Sequence, residues 1–282
     1  MGAPMAGALI DHGYDVVVFD KSDVAMGRAA AIGCAAVTTP AEVGRRARVI
    51  VISLPRPEHV VAVVRAGDES LLAGASPGTV IVDTSTVDPA TSQDNAKACQ
   101  AVSVGYLDSP ILGRPAGCGN WTLPTGGDAE HLAAAAPVLE TFAARIVHVG
   151  PSGHGNMLKL LNNLMFGAIN SITCEVFALS DRLGMDPALL YDTIATSGAA
   201  TVSNLFKELG PKIVDREFAP NFSVNNLEKD VGLGLAMARQ IGVTLEFSET
   251  GQRLNQAAQR AGLGEEDTAA VVRIFEDTEG TP

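Results

Sequence analysis

Residues 150–184 read GPSGHGNMLKLLNNLMFGAINSITCEVFALSDRLG, and this stretch separates two halves of different character. Within this stretch, Gly167 is the only glycine between Gly155 and Gly184, and there is no proline after Pro151. Its apolar residues cover nearly the whole circumference of a helical wheel, which is typical of a buried helix. At ~1.5 Å per residue, thirty-odd helical positions span ~45 Å. We therefore expect one long helix that crosses from an N-terminal into a C-terminal domain.

Before this helix, short β-branched runs alternate with alanine-rich helical segments. Strands are expected at residues 15–20, 48–53 and 79–83, and later near 104–107, 121–125 and 145–149. Helices are expected near 22–32, 57–66 and 88–100. Continuous apolar strands that alternate with helices predict a parallel sheet covered on both faces. Residues 1–150 are thus predicted to form a doubly wound, Rossmann-type α/β domain.

After the long helix the pattern is helical throughout. Helices are expected at roughly 187–196, 200–209, 224–241, 244–261 and 266–276. At ~150 residues per domain, a chain of 282 residues accommodates about two domains. The second domain is predicted to be all-helical and to comprise residues 151–282.

Composition excludes several classes of function. The chain has 20 Lys and Arg against 32 Asp and Glu, a net charge of −12, and no basic run, which argues against a nucleic-acid partner. No apolar run reaches the ~18 residues of a membrane helix. The first residues lack the basic region of a signal peptide. We expect a cytoplasmic protein with no membrane partner.

Cysteine and histidine spacing gives no sign of a metal site. The four cysteines are scattered without a C-x-x-C pair, which predicts free thiols rather than a zinc knuckle or a disulfide framework. The histidines also lack ligand-like spacing, and we predict no metal.

The N-terminal residues follow the order of a dinucleotide-binding unit. Such a unit runs strand, G-x-G-x-x-G, helix, strand and acidic residue. Gly2 takes the place of the third glycine, and Asp20 lies 18 residues later at the end of the next strand. A carboxylate there meets the ribose hydroxyls and favours NAD over NADP, a preference that Lys21 weakens. An ordinary role for Asp20 as a strand-end turn residue is equally open. The first strand and first two glycines are absent from the sequence.

Five ordered motifs carry a family resemblance. Residues 1–5 (MGAPM) match the tail of a "G-x-M-G-x-P-M" opening, with Met1 at its inner methionine. The other four motifs are residues 82–89 (VDTSTVDP), 108–113 (DSPILG), 150–163 (GPSGHGNMLKLLNN) and 229–230 (KD). Together they resemble the β-hydroxyacid dehydrogenases, the 3-hydroxyisobutyrate dehydrogenase family, over essentially the whole chain. Because Met1 matches this inner methionine, the resemblance implies that about ten residues would precede Met1. Those residues would form a strand and the opening of the glycine-rich loop.

The resemblance implies NAD(P)-dependent interconversion of a small anionic 3-hydroxy acid and its 3-oxo acid or semialdehyde, in a cleft between the domains. Lys159 would be the general acid/base, since burial in an apolar helix lowers a lysine's pKa toward the operating pH. Asn163, one turn later, would hold the substrate oxygen or orient Lys159. The alternative for Lys159 is a lysine whose ammonium reaches solvent at the domain surface.

The remaining site residues follow from strand ends and from the family motifs. Ser85 and Thr86 lie just past a buried strand, where α/β ligand crevices form, and are expected to contact substrate and cofactor. An ST-turn that caps the next helix is the alternative for both. The resemblance places the backbone of Leu54 and Pro55, and the side chain of Lys229, at the cofactor. The alternative for Leu54 and Pro55 is a proline that simply ends a strand. The alternative for Lys229 is an exposed lysine on a helix.

The substrate loop departs from the family pattern. Leu112 replaces a serine that binds the substrate carboxylate, and Arg114 follows Gly113 where a second glycine is usual. A guanidinium pairs bidentately with a carboxylate, so Arg114 either replaces the lost hydroxyl or is a solvated loop residue. The loop of residues 114–121 contains the single tryptophan, Trp121, and could shape a different pocket.

Two other functions remain open. Imine reductases share this architecture and resemble the family, but another residue replaces its lysine. Lys159 therefore argues against an imine reductase. A non-catalytic dinucleotide-binding or scaffold protein is favoured by the missing glycines and disfavoured by Lys159 and Asn163. The long apolar helix also predicts a homodimer or homotetramer.

Overall fold

Seven strands and seven helices belong to the N-terminal half of the computed structural model, which describes residues 1–276. The strands are β1 (Val17–Val18), β2 (Ala35–Ala36), β3 (Val49–Ile52), β4 (Val80–Asp83), β5 (Gly105–Asp108), β6 (Trp121–Gly126) and β7 (Ala143–Gly150). The helices are α1 (Gly2–Asp11), α2 (Asp23–Ala31), α3 (Pro40–Arg46), α4 (Pro57–Arg65), α5 (Leu71–Gly74), α6 (Pro89–Gln100) and α7 (Ala129–Leu139).

The strands form two sheets. The larger has the order β3-β4-β5-β6-β7, parallel except where β5 meets β6, and the smaller pairs β1 with β2 in parallel. The predicted Rossmann-type class is confirmed. The strand expected at residues 15–20 is reduced to Val17 and Val18, because β1 has a neighbour on one side only. No described strand pairs with a strand of both sheets.

The second half is helical, as predicted. Its helices are α8 (His154–Arg182), α9 (Pro187–Ala195), α10 (Asn204–Val214), α11 (Val224–Gln240), α12 (Glu246–Arg260) and α13 (Val272–Glu276). The helix expected at 200–209 begins instead at Asn204, because the Ser203 hydroxyl accepts the Phe206 N–H and caps it there. The helix expected at 266–276 is a 3-10 turn, Thr268–Val271, followed by α13.

Several short elements escaped the sequence pattern. Strand β2 has two residues, and α3 and α5 have seven and four. The eleven-residue α7 carries Pro137 in its interior, which argues against a helix on sequence alone. These elements are held by tertiary packing rather than by their own periodicity.

Buried apolar side chains fill each half separately. One face of the large sheet packs Leu107, Leu123 and Trp121 against Leu139 of α7, and the other packs Ile50, Ile81 and Tyr106 against Val60 and Val64 of α4. In the second half, Phe177 of α8 packs with Phe206 and Leu209 of α10 and with Val271.

None of the helices described over residues 1–276 is long and apolar enough to cross a bilayer.

The chain divides by its contacts into two units, Met1–Lys159 and the residues from Leu160 onward. This division falls inside α8, nine residues beyond residue 150, because the first turn of α8 packs on the sheet. The Asp108 carboxylate accepts the Gly153 N–H at 2.7 Å and the Asn156 N–H at 2.9 Å. A carboxylate in this position compensates the partial positive charge of a helix N-terminus.

Gly155 allows this close approach. A Cβ at this position would lie 2.2 Å from the Asp108 carbonyl oxygen and 2.6 Å from that of Pro124, both backbone atoms. We predict that Gly155→Ala lowers the free energy of unfolding by about 1–3 kcal/mol, since overpacking against backbone displaces the helix. Urea unfolding followed by circular dichroism measures this change.

Gly27 in the middle of α2 is the matched control, because a Cβ there meets nothing within 4 Å. Gly27→Ala should stabilise the chain by roughly 0.5–1 kcal/mol through helix propensity. Equal effects of the two substitutions would contradict the close-approach argument.

Candidate active site

The carboxyl ends of β3 and β4 are joined by two hydroxyl side chains. Thr84 Oγ1 donates to the Ile52 carbonyl at 2.8 Å, and the Leu54 N–H donates to Ser85 Oγ at 2.9 Å. Ser85 is 3% exposed, so its hydroxyl connects the two strand ends and fixes the Leu54-Pro55 turn. Its contact with substrate stays a prediction, as does that of the half-buried Thr86 with cofactor.

Asp83, the last residue of β4, organises a buried polar network beneath this turn. Its carboxylate accepts the Ser85 N–H at 2.8 Å and the Tyr106 hydroxyl at 2.7 Å. Burial raises the pKa of Asp83 to about 6, against the lowering effect of those two donors. Asn95 Nδ2 contacts the Tyr106 hydroxyl at 3.4 Å, and Arg65 Nε donates to Asn95 Oδ1 at 2.8 Å. Asp83 lies in the motif of residues 82–89 and had no predicted role, although a carboxylate that ends a fully apolar strand is a visible signal.

Asp108 at the end of β5 is a second buried carboxylate. Burial raises its pKa, while the N–H groups of Asn156 and Gly153 oppose that rise. Asn156 also connects elements through its side chain, because Oδ1 accepts the Val87 N–H at 3.1 Å and Nδ2 donates to Ser92 Oγ at 3.1 Å. The loop after β4 is thereby tied to the first turn of α8.

The loop of residues 109–114, here named the substrate loop, is held by contacts to its backbone. Lys159 Nζ donates to the Ile111 carbonyl at 2.8 Å, and the Leu112 N–H donates to the Thr122 carbonyl at 2.9 Å. Trp121 Nε1 donates to the Arg114 carbonyl at 2.7 Å. These contacts fix the path of the loop without using its side chains.

Trp121 is a core residue and not a pocket-lining one. It is 1% exposed, packs edge-on against Phe142 at 6.2 Å, and belongs to the apolar cluster below the sheet. Gly113 lies under its ring, where a Cβ would come within 2.3 Å of Trp121 Cδ1. Trp121 thus braces the substrate loop from behind, and a ligand pocket shaped by the loop of residues 114–121 stays a prediction.

Asn163 lies one turn beyond Lys159 on α8 and is 3% exposed. Its Nδ2 donates to Asp230 Oδ2 at 2.5 Å, and Lys229 Nζ lies 2.8 Å from Asp230 Oδ1. The buried Asp230 therefore fixes both the amide of Asn163 and the ammonium of Lys229. Sequence reasoning quoted Asp230 as part of a motif but assigned it no role.

The residues expected at the dinucleotide fit an anionic ligand with hydroxyl groups. Helix α1 begins at Gly2, its N-cap residue Met1 makes no side-chain cap hydrogen bond, and a Cβ on Gly2 would meet nothing within 4 Å. The first N–H groups of a helix have no partner within it, and at the start of the ten-residue α1 they suit a pyrophosphate. Asp20 and Lys21 follow β1 and are exposed. Asp20 Oδ1 also accepts the Ser22 N–H at 2.8 Å, so its turn-forming role is present.

Two family profiles cover most of the chain. Residues 1–150 match the NAD binding domain of 6-phosphogluconate dehydrogenase. Residues 153–275 match the NAD-binding domain of NADP-dependent 3-hydroxyisobutyrate dehydrogenase.

Individual relatives match over nearly their full length. A 3-hydroxyisobutyrate dehydrogenase of Pseudomonas aeruginosa is 33% identical, with 98% of this chain and 95% of that protein covered. A 2-(hydroxymethyl)glutarate dehydrogenase of Eubacterium barkeri is 29% identical, with 99% and 93% covered. The solved structure of Mycobacterium tuberculosis 3-hydroxyisobutyrate dehydrogenase with L-serine has a TM-score of 0.86 at 28% identity, with 98% and 95% covered.

The buried Asp83 predicts a specific pH dependence of stability. Its pKa is raised from 3.8 to about 6 in the folded chain, so between these values the folded state binds more protons than the unfolded state. The Asp83 contribution to stability is therefore present at low pH and is lost as pH rises through about 6. Between pH 5.5 and 7.5 the wild type should lose about 1 kcal/mol more than Asp83→Asn.

Urea unfolding at several pH values in that interval measures the difference. Asp68→Asn, at an exposed carboxylate on the same unit, should keep the wild-type dependence. Parallel curves for the wild type and Asp83→Asn would show that burial of Asp83 does not control this titration.

Proposed function

This chain belongs to the β-hydroxyacid dehydrogenase family and is an NAD(P)-dependent oxidoreductase, and from that premise we propose its substrate and the residues that act on it. The substrate is a small acid with a hydroxyl on the carbon β to its carboxylate, interconverted with the 3-oxo acid or semialdehyde. One observation carries the proposal: Lys159 Nζ lies 2.8 Å from the Ile111 carbonyl, so an ammonium is anchored on the substrate loop.

The names of the relatives support this class of substrate. 3-Hydroxyisobutyrate and 2-(hydroxymethyl)glutarate both carry a hydroxymethyl group on the carbon next to a carboxylate. L-Serine, present with the Mycobacterium tuberculosis enzyme, has the same arrangement with an amino substituent. The shared unit is HO–CH2–CH(R)–COO⁻, in which the group R differs from one acid to the next.

Lys159 is the proposed general acid/base. When bound, NAD(P) supplies the acceptor for the hydride that leaves the carbinol carbon. In oxidation, Nζ of neutral Lys159 accepts the hydroxyl proton, and in reduction the ammonium returns it to the carbonyl oxygen. The Ile111 carbonyl holds Lys159 Nζ at one position. Fewer arrangements of Nζ and the substrate hydroxyl are therefore sampled before the proton is transferred.

Asn163 is proposed to hold the substrate oxygen that exchanges this proton. Its Nδ2 is engaged by the Asp230 carboxylate, which fixes the orientation of the amide. Asp230 thus acts as a positioning residue through Asn163, and it neutralises Lys229 at the same time.

The substrate carboxylate is assigned to the substrate loop. Arg114 supplies a guanidinium, which pairs bidentately with a carboxylate, and its backbone is braced by Trp121. Leu112 and Gly113 complete the loop, and the half-buried Leu112 offers an apolar contact to the substituent R.

The cofactor residues are proposed from position and motif together. Met1 and Gly2 begin the helix that receives the pyrophosphate, and Asp20 meets the ribose hydroxyls with Lys21 beside it. The other residues proposed to contact the cofactor are Leu54, Pro55, Thr86 and Lys229. The carboxylate of Asp20 favours NAD, and NADP remains the second cofactor to test.

Removal of the Lys159 amine should abolish most of the turnover and leave cofactor binding intact. For Lys159→Ala we expect kcat to fall on the order of 10²–10⁴-fold, the usual size of a general acid/base contribution. Turnover of 3-hydroxyisobutyrate, L-serine and 2-(hydroxymethyl)glutarate with NAD and with NADP is followed at 340 nm. Cofactor affinity is measured separately by titration of the fluorescence of Trp121.

Lys97→Ala is the control, because Lys97 is exposed on α6 and pairs only locally with Asp94. Full activity of Lys159→Ala would refute the general acid/base role. Cofactor binding without turnover of any β-hydroxy acid by the wild type would favour the non-catalytic binding protein instead.

Arg114 should govern the affinity for the acid rather than the chemical step. Loss of one bidentate, charge-assisted pair is worth about 1.5–3 kcal/mol, so Arg114→Ala should raise KM by roughly 10–100-fold with kcat little changed. Arg145→Ala, at an exposed arginine on β7, should leave KM at the wild-type value. An unchanged KM in Arg114→Ala would identify Arg114 as a solvated loop residue.

A further inference from the structure

Helix α4 is tied at both of its ends to the same buried carboxylate. At its start, the Leu54 N–H in the turn before the helix donates to Ser85 Oγ at 2.9 Å, and the Ser85 N–H donates to Asp83 Oδ1 at 2.8 Å. At its end, Arg65 connects to Asp83 Oδ2 through two further side chains. The helix and these hydrogen bonds therefore form a closed ring within the N-terminal unit.

The two side chains between Arg65 and Asp83 are Asn95 of α6 and Tyr106 of β5. Arg65 Nε donates to Asn95 Oδ1 at 2.8 Å, and Asn95 Nδ2 donates to the Tyr106 hydroxyl at 3.4 Å. That hydroxyl in turn donates to Asp83 Oδ2 at 2.7 Å. These four side chains, here named the Arg65 relay, join two helices to two strands of the large sheet.

Arg65 sets the direction of every hydrogen bond in the relay. A guanidinium has donors only, so Asn95 turns its oxygen toward Arg65 and its Nδ2 toward Tyr106. The Tyr106 oxygen accepts from Asn95, and its own proton points to Asp83. Burial raises the pKa of Tyr106 well above its usual range, so the hydroxyl keeps the proton that it donates. Both ends of the ring thus donate to one carboxylate.

The inner links of the relay are closed to solvent. Asn95 and Asp83 are 0% exposed and Tyr106 is 3% exposed, whereas Arg65 lies at the surface. A buried polar group that loses its partner bears the cost of its desolvation, because water does not take the partner's place. The loss of one link is therefore passed along the relay to the next group.

The ring fixes a degree of freedom that apolar packing leaves to α4. Val60 and Val64, both 0% exposed, pack on the sheet and hold the helix sideways. Apolar contacts are non-directional and tolerate a shift along the helix axis, whereas hydrogen bonds at both ends do not. Pro57 begins α4 directly after the Leu54-Pro55 turn, so the position of the helix determines where this turn lies.

We propose that Arg65 and Tyr106 are positioning residues for the dinucleotide, because they hold the Leu54-Pro55 turn where it receives the cofactor. This inference rests on the proposed function, in which the turn contacts the cofactor. Pro55 is exposed and Leu54 is half-buried, so the turn is accessible to a ligand. Arg65 and Tyr106 do not touch the cofactor themselves and act through the buried carboxylate between them and the turn.

The polar character of the relay favours this role over simple core filling. Asn95 lies on the buried face of α6 together with Cys99, and Tyr106 belongs to the apolar cluster that contains Val60 and Val64. Apolar side chains of the same shape would fill this space with little or no loss of stability. What they would not supply is a directional connection from the end of α4 to its start.

Amide exchange tests whether the relay reaches the turn. Tyr106→Phe removes the hydroxyl and keeps the packed ring. Exchange of the Leu54 N–H should rise on the order of fivefold or more, because the turn then opens more often. Exchange of the Leu112 N–H, which donates to the Thr122 carbonyl, should stay unchanged, whereas a general loosening of the unit would raise both.

Calorimetric titration with NAD tests whether the turn holds the cofactor. Tyr106→Phe should weaken binding roughly 3–10-fold, a part of what one hydrogen bond to a charged group is worth. Arg65→Met should have a smaller effect, because its connection to Tyr106 passes through the long 3.4 Å link. The chain that carries both substitutions should bind NAD as Tyr106→Phe does, since Arg65 acts through that hydroxyl.

Two substitutions of the same kinds in the same unit are the controls. Tyr14→Phe removes a hydroxyl that donates to the Pro137 carbonyl at 3.2 Å. Arg48→Met removes a guanidinium that donates to the Pro77 carbonyl at 3.3 Å. Both variants should bind NAD with wild-type affinity, because neither group belongs to the ring.

Three results would overturn the proposal. Unchanged exchange at Leu54 in Tyr106→Phe would show that the relay does not reach the turn. Faster exchange with unchanged NAD affinity would show that the turn does not hold the cofactor. Additive losses of affinity from Arg65→Met and Tyr106→Phe would show that Arg65 acts by another route. Because none of these readouts uses turnover, failure here and failure of the proposed reaction are distinguishable.

Discussion

The contact of the Asp108 carboxylate with the first N–H groups of α8 is the constraint on which the candidate site depends. It joins the end of β5 to the start of a 29-residue helix. Gly155 lets the helix approach the sheet, and Asn156 ties it to the loop after β4. Lys159 follows within the next turn, so its position over the substrate loop is a consequence of how the helix begins. The price is a buried carboxylate whose ionised form is stabilised by backbone N–H donors, foremost those of Asn156 and Gly153.

Sequence patterns predicted the features that rest on long-range periodicity or on strand ends. The buried strands β3 and β4, the long helix α8, and Lys159 with Asn163 one turn apart all belong to this group. The short elements β2, α3 and α5 were missed because their conformation comes from neighbours and not from their own residues. The antiparallel contact of β5 and β6 also has no signal in an apolar run.

Side-chain roles were harder to predict than side-chain positions. Ser85 lies where expected, yet its hydroxyl accepts the Leu54 N–H. Asp83 and Asp230 are buried carboxylates that organise their neighbours, and a motif alone does not reveal such a role. Trp121 lies in the strand expected at residues 121–125, yet the sequence did not predict its burial in the core or its bond to the Arg114 carbonyl. Burial and hydrogen-bond partners decide these roles, and both depend on residues distant in sequence.

The substrate loop is held in part by contacts to its backbone atoms. Three of these contacts join Lys159 to the Ile111 carbonyl, the Leu112 N–H to the Thr122 carbonyl, and Trp121 to the Arg114 carbonyl. None of them requires a particular side chain at positions 112 or 114. Those side chains can therefore change while Nζ of Lys159 keeps its anchor. Leu112 and Arg114, which depart from the family pattern, are therefore changes of side chains that these three contacts do not use. Gly113 is constrained, because the ring of Trp121 occupies the space of a Cβ.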